Sequence, residues 1–307
     1  MYDVIIIGGG PAGSSAAMYT ARGGLKTLVI DKAPNAGALA LTHKIANYPG
    51  VEGESTGKEL LDRFRRQAQS FGAEYLHTTL TAVDVEEDVK SVFTSDGIFE
   101  AKAVIVATGS KGRNRMLPGE EVLLGRGVST CATCDGAFFA GKKVAVIGDS
   151  EEAVDEVLAL AKFGMEIDFY IPRAELQGDT HMPDVPNTRV HFRTRPLEIL
   201  GDRRVEGVRI RRPSGEEEVV GADGVFVFLS GSKPGTDFLQ GQVPLDDEGF
   251  MVLDSLMQSP VPGVFGAGEV RRTPVKQAVV AAADGAIAAM AVDKYINKRS
   301  QVLPQYK

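Results

Sequence analysis

The chain has 307 residues, 43% hydrophobic and 24% charged, with a formal net charge of -7. This is the balance of an ordinary globular protein, long enough for two domains of about 150 residues each. The acidic charge excludes a general electrostatic drive toward nucleic acid or an anionic membrane, and every apolar run is too short for a membrane span. Met1-Tyr2-Asp3-Val4 runs straight into a strand without the basic and apolar regions of a signal peptide. A cytoplasmic protein is expected.

Val4-Ile5-Ile6-Ile7 reads as a buried parallel strand. Gly8-Gly9-Gly10-Pro11-Ala12-Gly13 follows, then a small-residue helix from Ser14 to about Arg22. The G-x-G-x-x-G pattern thus has its required strand before and helix after. Gly8 permits the tight turn, Gly10 the close approach of a pyrophosphate, and Gly13 the packing of helix on sheet. The helix N-terminus faces the phosphate charge. Thr27-Leu28-Val29-Ile30 forms the next strand, ending at Asp31, placed to accept a ribose hydroxyl, with Lys32 beside it.

The segment from Ala36 to Gly50 is rich in Gly, Ala and Asn and reads as a cofactor-lining loop, with Leu39, Thr42, His43 and Asn47 as candidates to face a flavin. Ser55 to Gly72 reads as an amphipathic helix with Leu60, Leu61, Phe64, Ala68 and Phe71 on one face and Arg63, Arg65 and Arg66 on the solvated side. Ala103-Val104-Ile105-Val106 then leads into Ala107-Thr108-Gly109, as where a sheet returns beneath a bound dinucleotide. A first boundary falls at the basic run Lys111 to Arg115.

Cys131-Ala132-Thr133-Cys134-Asp135 holds the only two cysteines. A C-x-x-C at a helix start brings two thiols within disulfide reach, and the helix N-terminus favours thiolate and exchange. Asp135 is placed to move protons. Half a zinc site and two inert core cysteines are the other readings, but four histidines and no second C-x-x-C leave few zinc ligands. Lys143 to Gly148 begins a second strand-turn-helix through Ser150 to Phe163, and short strands run from Arg189 to Leu229. Near Leu239 to Val243 the chain is expected to return to the first domain. Gly263 to Glu269 closes a strand, and Pro274 to about Asn297 reads as an Ala-rich helix.

The ordered set G-G-G-P-A-G at 8–13, A-T-G at 107–109, C-A-T-C-D at 131–135, G-A-G-E at 266–269 and K-Q-A at 276–278 resembles the low-molecular-weight thioredoxin reductase family over nearly the whole chain. The resemblance implies an α/β fold of two Rossmann-like dinucleotide-binding domains, the second inserted into the first. The FAD-binding domain would comprise 1–114 and 243–307, and the C-x-x-C domain 115–242. It implies a homodimer that reduces thioredoxin. Cys134 would exchange electrons with the flavin, Cys131 attack the substrate disulfide, and Asp135 handle protons. Ala107, Thr108, Gly109, Gly268, Glu269, Lys276, Gln277 and Ala278 join the first turn as FAD-binding candidates, Glu269 standing where the family has an aspartate toward the ribityl chain.

The second nucleotide turn departs from the family. Its G-x-G-x-x-A becomes Gly148-Asp149-Ser150-Glu151-Glu152-Ala153, and its H-R-R-x-x-x-R clamp for the 2′-phosphate becomes Ile171, Pro172, Arg173 and Gln177. Ser150 fills the approach of the pyrophosphate, and three carboxylates stand where an anion would bind. This resembles the pyridine-nucleotide-independent branch, which includes ferredoxin-dependent flavin thioredoxin reductases and diflavin-linked disulfide oxidoreductases with a second FAD in the vacated site. The expectation is an FAD-dependent disulfide reductase fed by reduced ferredoxin. Alternatives are the diflavin enzyme, an ordinary NADPH thioredoxin reductase, and a non-catalytic redox sensor. Basic docking candidates are Lys111, Arg113 and Arg115, Arg203-Arg204, Arg209-Arg211-Arg212, and Arg271-Arg272. Tyr306 in the tail is a candidate to stack on the flavin.

Overall fold

The computed structural model describes residues 1–33, 37–42, 44–53, 55–111, 116–178, 180–229 and 233–302. The chain forms two compact units, one of Met1–Thr42, Tyr48–Gly112 and Ser232–Lys307, the other of His43–Asn47 and Arg113–Gly231. In chain order come β1 (Tyr2–Ile7), α1 (Pro11–Arg22), β2 (Thr27–Asp31), α2 (Gly57–Ser70), β3 (Glu74–His77), β4 (Leu80–Asp84), β5 (Lys90–Thr94), β6 (Gly97–Val106) and β7 (Ser110–Lys111). The second unit supplies α3 (Glu120–Leu123), β8 (Val128–Ser129), α4 (Ala132–Asp135), β9 (Lys143–Gly148), α5 (Glu151–Ala161), β10 (Glu166–Ile171), β11 (Thr188–Phe192), β12 (Arg195–Leu200), β13 (Gly207–Arg211), β14 (Glu217–Gly221) and β15 (Gly224–Phe228). The chain then returns with β16 (Lys233–Pro234), β17 (Val264–Gly266) and α6 (Ala278–Ile296).

In the first unit the sheet order is β3-β2-β1-β6-β5-β4. The strands β3, β2, β1 and β6 run parallel, with Val4 opposite both Thr27 and Ala103. β6 is long enough to pair β5 antiparallel along its first half and β17 parallel along its second. Parallel strands buried on both faces read as unbroken apolar runs, and Val4, Ile5 and Ile6 are fully buried. Val4 and Ile6 pack under Ala16, Ala17, Ala288 and Val292 of α1 and α6, while Ile5 and Ile7 join Leu28, Ile30, Val104 and Val106. The alanines let α1 and α6 come together closely: a Cβ at Gly285 would lie 2.0 Å from the Ala12 carbonyl oxygen.

The second unit repeats the plan with a parallel sheet, β11-β10-β9-β15-β8. α5 and Ala132 of α4 share a core with Val144, Val146, Ile167, Phe169 and Phe226. The antiparallel β12-β13-β14 sheet brings Ile199, Val208 and Ile210 to a second core with Ala145, Ile147, Val225 and Val227.

Three boundaries differ from the sequence reading. α1 begins at Pro11 rather than Ser14, because Gly10 is the N-cap and a proline suits the first helical position. α6 begins at Ala278 rather than Pro274, since the Thr273 hydroxyl bonds Val275 and diverts the backbone from the helix. The chain rejoins the first unit from 232 rather than 243, because β16 pairs antiparallel with β7 and the Gln242 amide bonds Val83 and Val85. Among the described residues, no helix is long and apolar enough to cross a membrane.

Candidate active site

Cys131 and Cys134 form a disulfide, their Cα atoms 5.3 Å apart, across the single turn of α4. Cys131 is the N-cap residue, and its Sγ accepts the Cys134 N–H at 3.1 Å. That bond would favour a thiolate on Cys131 once the pair is reduced. Ser129, 4% exposed, ties the turn to its acid: its hydroxyl donates to Asp135 Oδ2 at 2.6 Å and accepts the Cys131 N–H at 3.1 Å. Burial pushes the Asp135 carboxyl above its ordinary range, and the Ser129 hydrogen bond opposes that rise. A carboxyl held above its ordinary range beside a disulfide is suited to giving and taking a proton during exchange. Among the described residues, no group of three or more His, Cys, Asp or Glu gathers to hold a metal ion.

The first glycine turn closes on strand ends from across the sheet. Gly8 has φ +105°, and a Cβ there would lie 2.3 Å from the Ala107 carbonyl oxygen. A Cβ at Gly13 would lie 1.8 Å from the Gly8 carbonyl oxygen. These two glycines are therefore fixed by packing. Gly10 is different: a Cβ there would meet nothing within 4 Å. The N-terminus of α1 beyond it carries no side-chain cap and no acid in its first turn. Open space beside uncapped amides is what a pyrophosphate requires.

The other FAD candidates divide. Gly9 donates its N–H to Asp31 at 3.0 Å, and Lys32 is exposed beside it. Gly268 sits over Ala12, where an added Cβ would come within 3.1 Å of the Ala12 side chain. Thr108 donates its hydroxyl to the Gly235 carbonyl at 2.8 Å, and Gly235 N–H bonds Gly109. Glu269 accepts from the hydroxyl of Ser110, next to that strand end. Gln277 is the N-cap of α6, whose first turn, starting at Ala278, has neither a side-chain cap nor an acid; Lys276 precedes it, exposed. Leu39 and Thr42 are pinned onto the start of α2, Thr42 accepting the Gly57 N–H at 2.7 Å. Asn47 is exposed in a segment that clusters with the second unit, apart from the glycine turn's unit. His43, Arg113, Arg115 and Tyr306 lie outside the described residues.

The second turn is built on opposite terms. Ser150 caps α5 with its own hydroxyl, accepting the Ala153 N–H at 3.4 Å, and Glu151 and Glu152 occupy the first turn. Asp149 is 5% exposed and pairs with Arg173 at 2.7 Å, while its carbonyl takes the Gln177 N–H. The clamp arginine retained in the sequence is thus held by a carboxylate of the turn itself.

Residues 2–285 match the family described as pyridine nucleotide-disulphide oxidoreductase. The chain belongs to this family. A thioredoxin reductase from Aquifex aeolicus is 46% identical, covering 100% of this chain and 97% of the relative. The solved thioredoxin reductase from Gloeobacter violaceus is 47% identical with a TM-score of 0.61, covering 100% and 97%. A ferredoxin-flavin thioredoxin reductase from Clostridium acetobutylicum is 28% identical with a TM-score of 0.53, covering 97% and 99%. As a member of the family the chain is an oxidoreductase, with the α/β architecture of two Rossmann-like domains.

Sequence reading misplaced one residue near the first glycine turn and missed another. Arg65, placed on the solvated face of α2, is 7% exposed and reaches the Asp31 carboxylate at 3.3 Å. Its position four after Leu61 and three before Ala68, on the buried stripe, was the available signal. Burial raises the Asp31 carboxyl, and Arg65 and the Gly9 amide oppose that rise. Asp284 of α6, 3% exposed, was not singled out; it accepts the Gly268 N–H at 3.1 Å and both arms of Arg271 at 2.8 Å, and so fixes the loop before Glu269.

Proposed function

We propose that this chain is an FAD-dependent disulfide reductase, a homodimer acting on thioredoxin, whose electrons come from a one-electron donor such as reduced ferredoxin and not from NADPH. The first turn fits FAD: Gly10 leaves room, the α1 amides are uncapped, and Asp31 stands at the strand end. Bound there, FAD would supply the capacity to accept single electrons and release them in pairs. The α1 amides would hold the pyrophosphate, Asp31 a ribose hydroxyl, and the start of α6 the flavin end.

The protein's own residues then carry the exchange. Reduced Cys131, as thiolate, attacks the thioredoxin disulfide, forming a mixed disulfide and releasing one thiolate. Cys134 displaces the second thiolate and regenerates the Cys131–Cys134 disulfide. Asp135 delivers a proton to a departing sulfur and recovers one as the pair is next reduced.

The Asp149–Arg173 pair carries the claim about the donor. An NADPH pyrophosphate at α5 would meet Ser150 in its approach and the carboxylates of Glu151 and Glu152 beside it. Its 2′-phosphate would have to take Arg173 from Asp149. Five of the ten basic docking candidates are neutralised: Arg209 pairs with Glu198, Arg211 with Glu217, Arg212 with Glu218, Arg271 with Asp284, and Arg272 with Asp246 and Glu248. Arg203 and Arg204 are exposed and, among the described residues, carry no ion pair, which favours them for an acidic donor.

Anaerobic mixing of the flavoprotein with each donor tests the proposal. Reduced ferredoxin is expected to bleach the flavin and support thioredoxin reduction, with NADPH doing neither. Rapid bleaching by micromolar NADPH would return the chain to the ordinary NADPH enzymes.

A further inference from the structure

The disulfide turn holds a hydroxyl with more acceptors in reach than it has protons. Ser129 Oγ accepts the Cys131 N–H at 3.1 Å and lies 2.6 Å from Asp135 Oδ2. It also lies 3.3 Å from the Cys131 carbonyl oxygen, so two acceptors share its single proton. At 4% exposure on β8, this side chain has little access to water. β8 and the Gly136–Phe139 turn carry no charged residue. The charged groups on the other elements round the turn are Glu151, Glu152, Asp155 and Glu156 of α5, Lys162 at its C-cap, and Lys44, 4.9 Å over the Phe138 ring. Glu156 reaches the Ala132 N–H at 2.6 Å, whereas Asp135 is held by Ser129.

We infer that Ser129 is a positioning residue for the proton of Asp135: its hydroxyl turns between the Asp135 carboxylate and the Cys131 carbonyl, so the acid stays hydrogen-bonded whether charged or protonated. The inference rests on the reading of Asp135 as the proton carrier and deepens it. With Asp135 charged, the hydroxyl donates to Oδ2, and the Cys131 N–H at its oxygen strengthens that donor. With Asp135 protonated, the carboxyl becomes the donor to Ser129 Oγ, and the hydroxyl proton turns to the Cys131 carbonyl. When Asp135 gives its proton to a departing sulfur, the thiolate becomes a thiol and the acid a carboxylate. The hydroxyl then swings back to the new charge. Neither state leaves a buried polar group unpaired, which would otherwise oppose the transfer.

Ser129→Ala removes the hydroxyl and leaves every charged group of the turn in the sequence. The test uses the full-length flavoprotein with its disulfide intact, so that no thiol of the pair titrates. The urea midpoint is followed against pH for each chain and for its Asp135→Asn partner. The difference within a pair levels off above the pH at which folded Asp135 loses its proton. That pH is expected to rise by about one unit in Ser129→Ala, because the charged carboxylate loses the stronger bond. Ser129→Thr keeps the hydroxyl and suits a strand, and should restore the wild-type value. Ser129→Gly takes the place of Ser129→Ala if the alanine chain does not fold. A merely structural role would lower the midpoints at every pH and leave the levelling point alone. An unmoved levelling point in the hydroxyl-free chain overturns the inference, as does an equal rise in Ser129→Thr. Thioredoxin turnover indifferent to Asp135→Asn would instead overturn the catalytic reading of Asp135, without altering what the urea series reports about Ser129.

Discussion

Asp135 sits where burial opposes its charge while the Ser129 hydroxyl, 2.6 Å away, supports it. With the net shift upward, the folded protein binds this proton more tightly than the unfolded chain does. Its contribution to stability is complete below the ordinary aspartate range and is lost as pH rises through the raised folded value. Asp135→Asn removes the buried charge and keeps an oxygen for Ser129. The variant is therefore expected to exceed wild type in urea midpoint at neutral pH and to approach it in acid. The same change deletes a proton carrier, and thioredoxin turnover should drop by about 10²-fold. Turnover near wild type would remove Asp135 from the mechanism. Asp135 itself was legible, since it abuts the only two cysteines. Ser129 was not: it acts through hydrogen bonds that depend on how β8 packs on the turn.

At the scale of elements, α1 and α5 are two copies of one strand-turn-helix device with opposite chemistry at the helix start. α1 leaves its amides bare, whereas α5 satisfies them with Ser150 and surrounds them with acids. Giving α1 the chemistry of α5 tests what the bare end is for. Gly10→Asp adds a favoured N-cap residue in open space, at a backbone angle any residue adopts. Its fold should persist, with melting temperature at or above that of flavin-free wild type, while the flavin-to-protein absorbance ratio falls by about tenfold or more. Gly13→Ala inverts the pattern. Its Cβ meets the Gly8 carbonyl at 1.8 Å, so it should cost about 1–3 kcal/mol of stability as the turn is forced apart. Retention of flavin by Gly10→Asp would mean that no pyrophosphate approaches there. The glycine spacing was legible because Gly8 and Gly13 answer local backbone demands at a fixed separation, with Gly10 between them. The pairing of Asp149 with Arg173 was not, because 24 residues separate the two and β10 must align before they meet.

For the whole molecule, sequence reading found a domain inserted into another but placed the return too late. The missing signal was β16, two residues long and carrying a proline, too short to register as a strand against its surroundings. Yet it pairs with β7, setting Lys233 opposite Lys111 and bringing the two ends of the first unit to neighbouring strands. A pairing of this kind makes the insertion removable in principle, because the chain ends it joins are already adjacent without it. The first unit also owns its core: the β1 and β6 strands, α1 and α6 bury Val4, Ile6, Ala16, Ala288 and Val292 among themselves. Replacing 113–231 by a short Gly/Ser linker is therefore expected to leave a folded, soluble protein with cooperative thermal unfolding and bound flavin, and without disulfide reductase activity. The segment 43–47 clusters with the second unit, and its buried Ile45 loses those neighbours, so a modest fall in melting temperature should accompany the excision. Aggregation relieved by Ile45→Ser would assign the defect to that one exposed side chain. Failure to fold in both forms would show that the first unit depends on the second for its core.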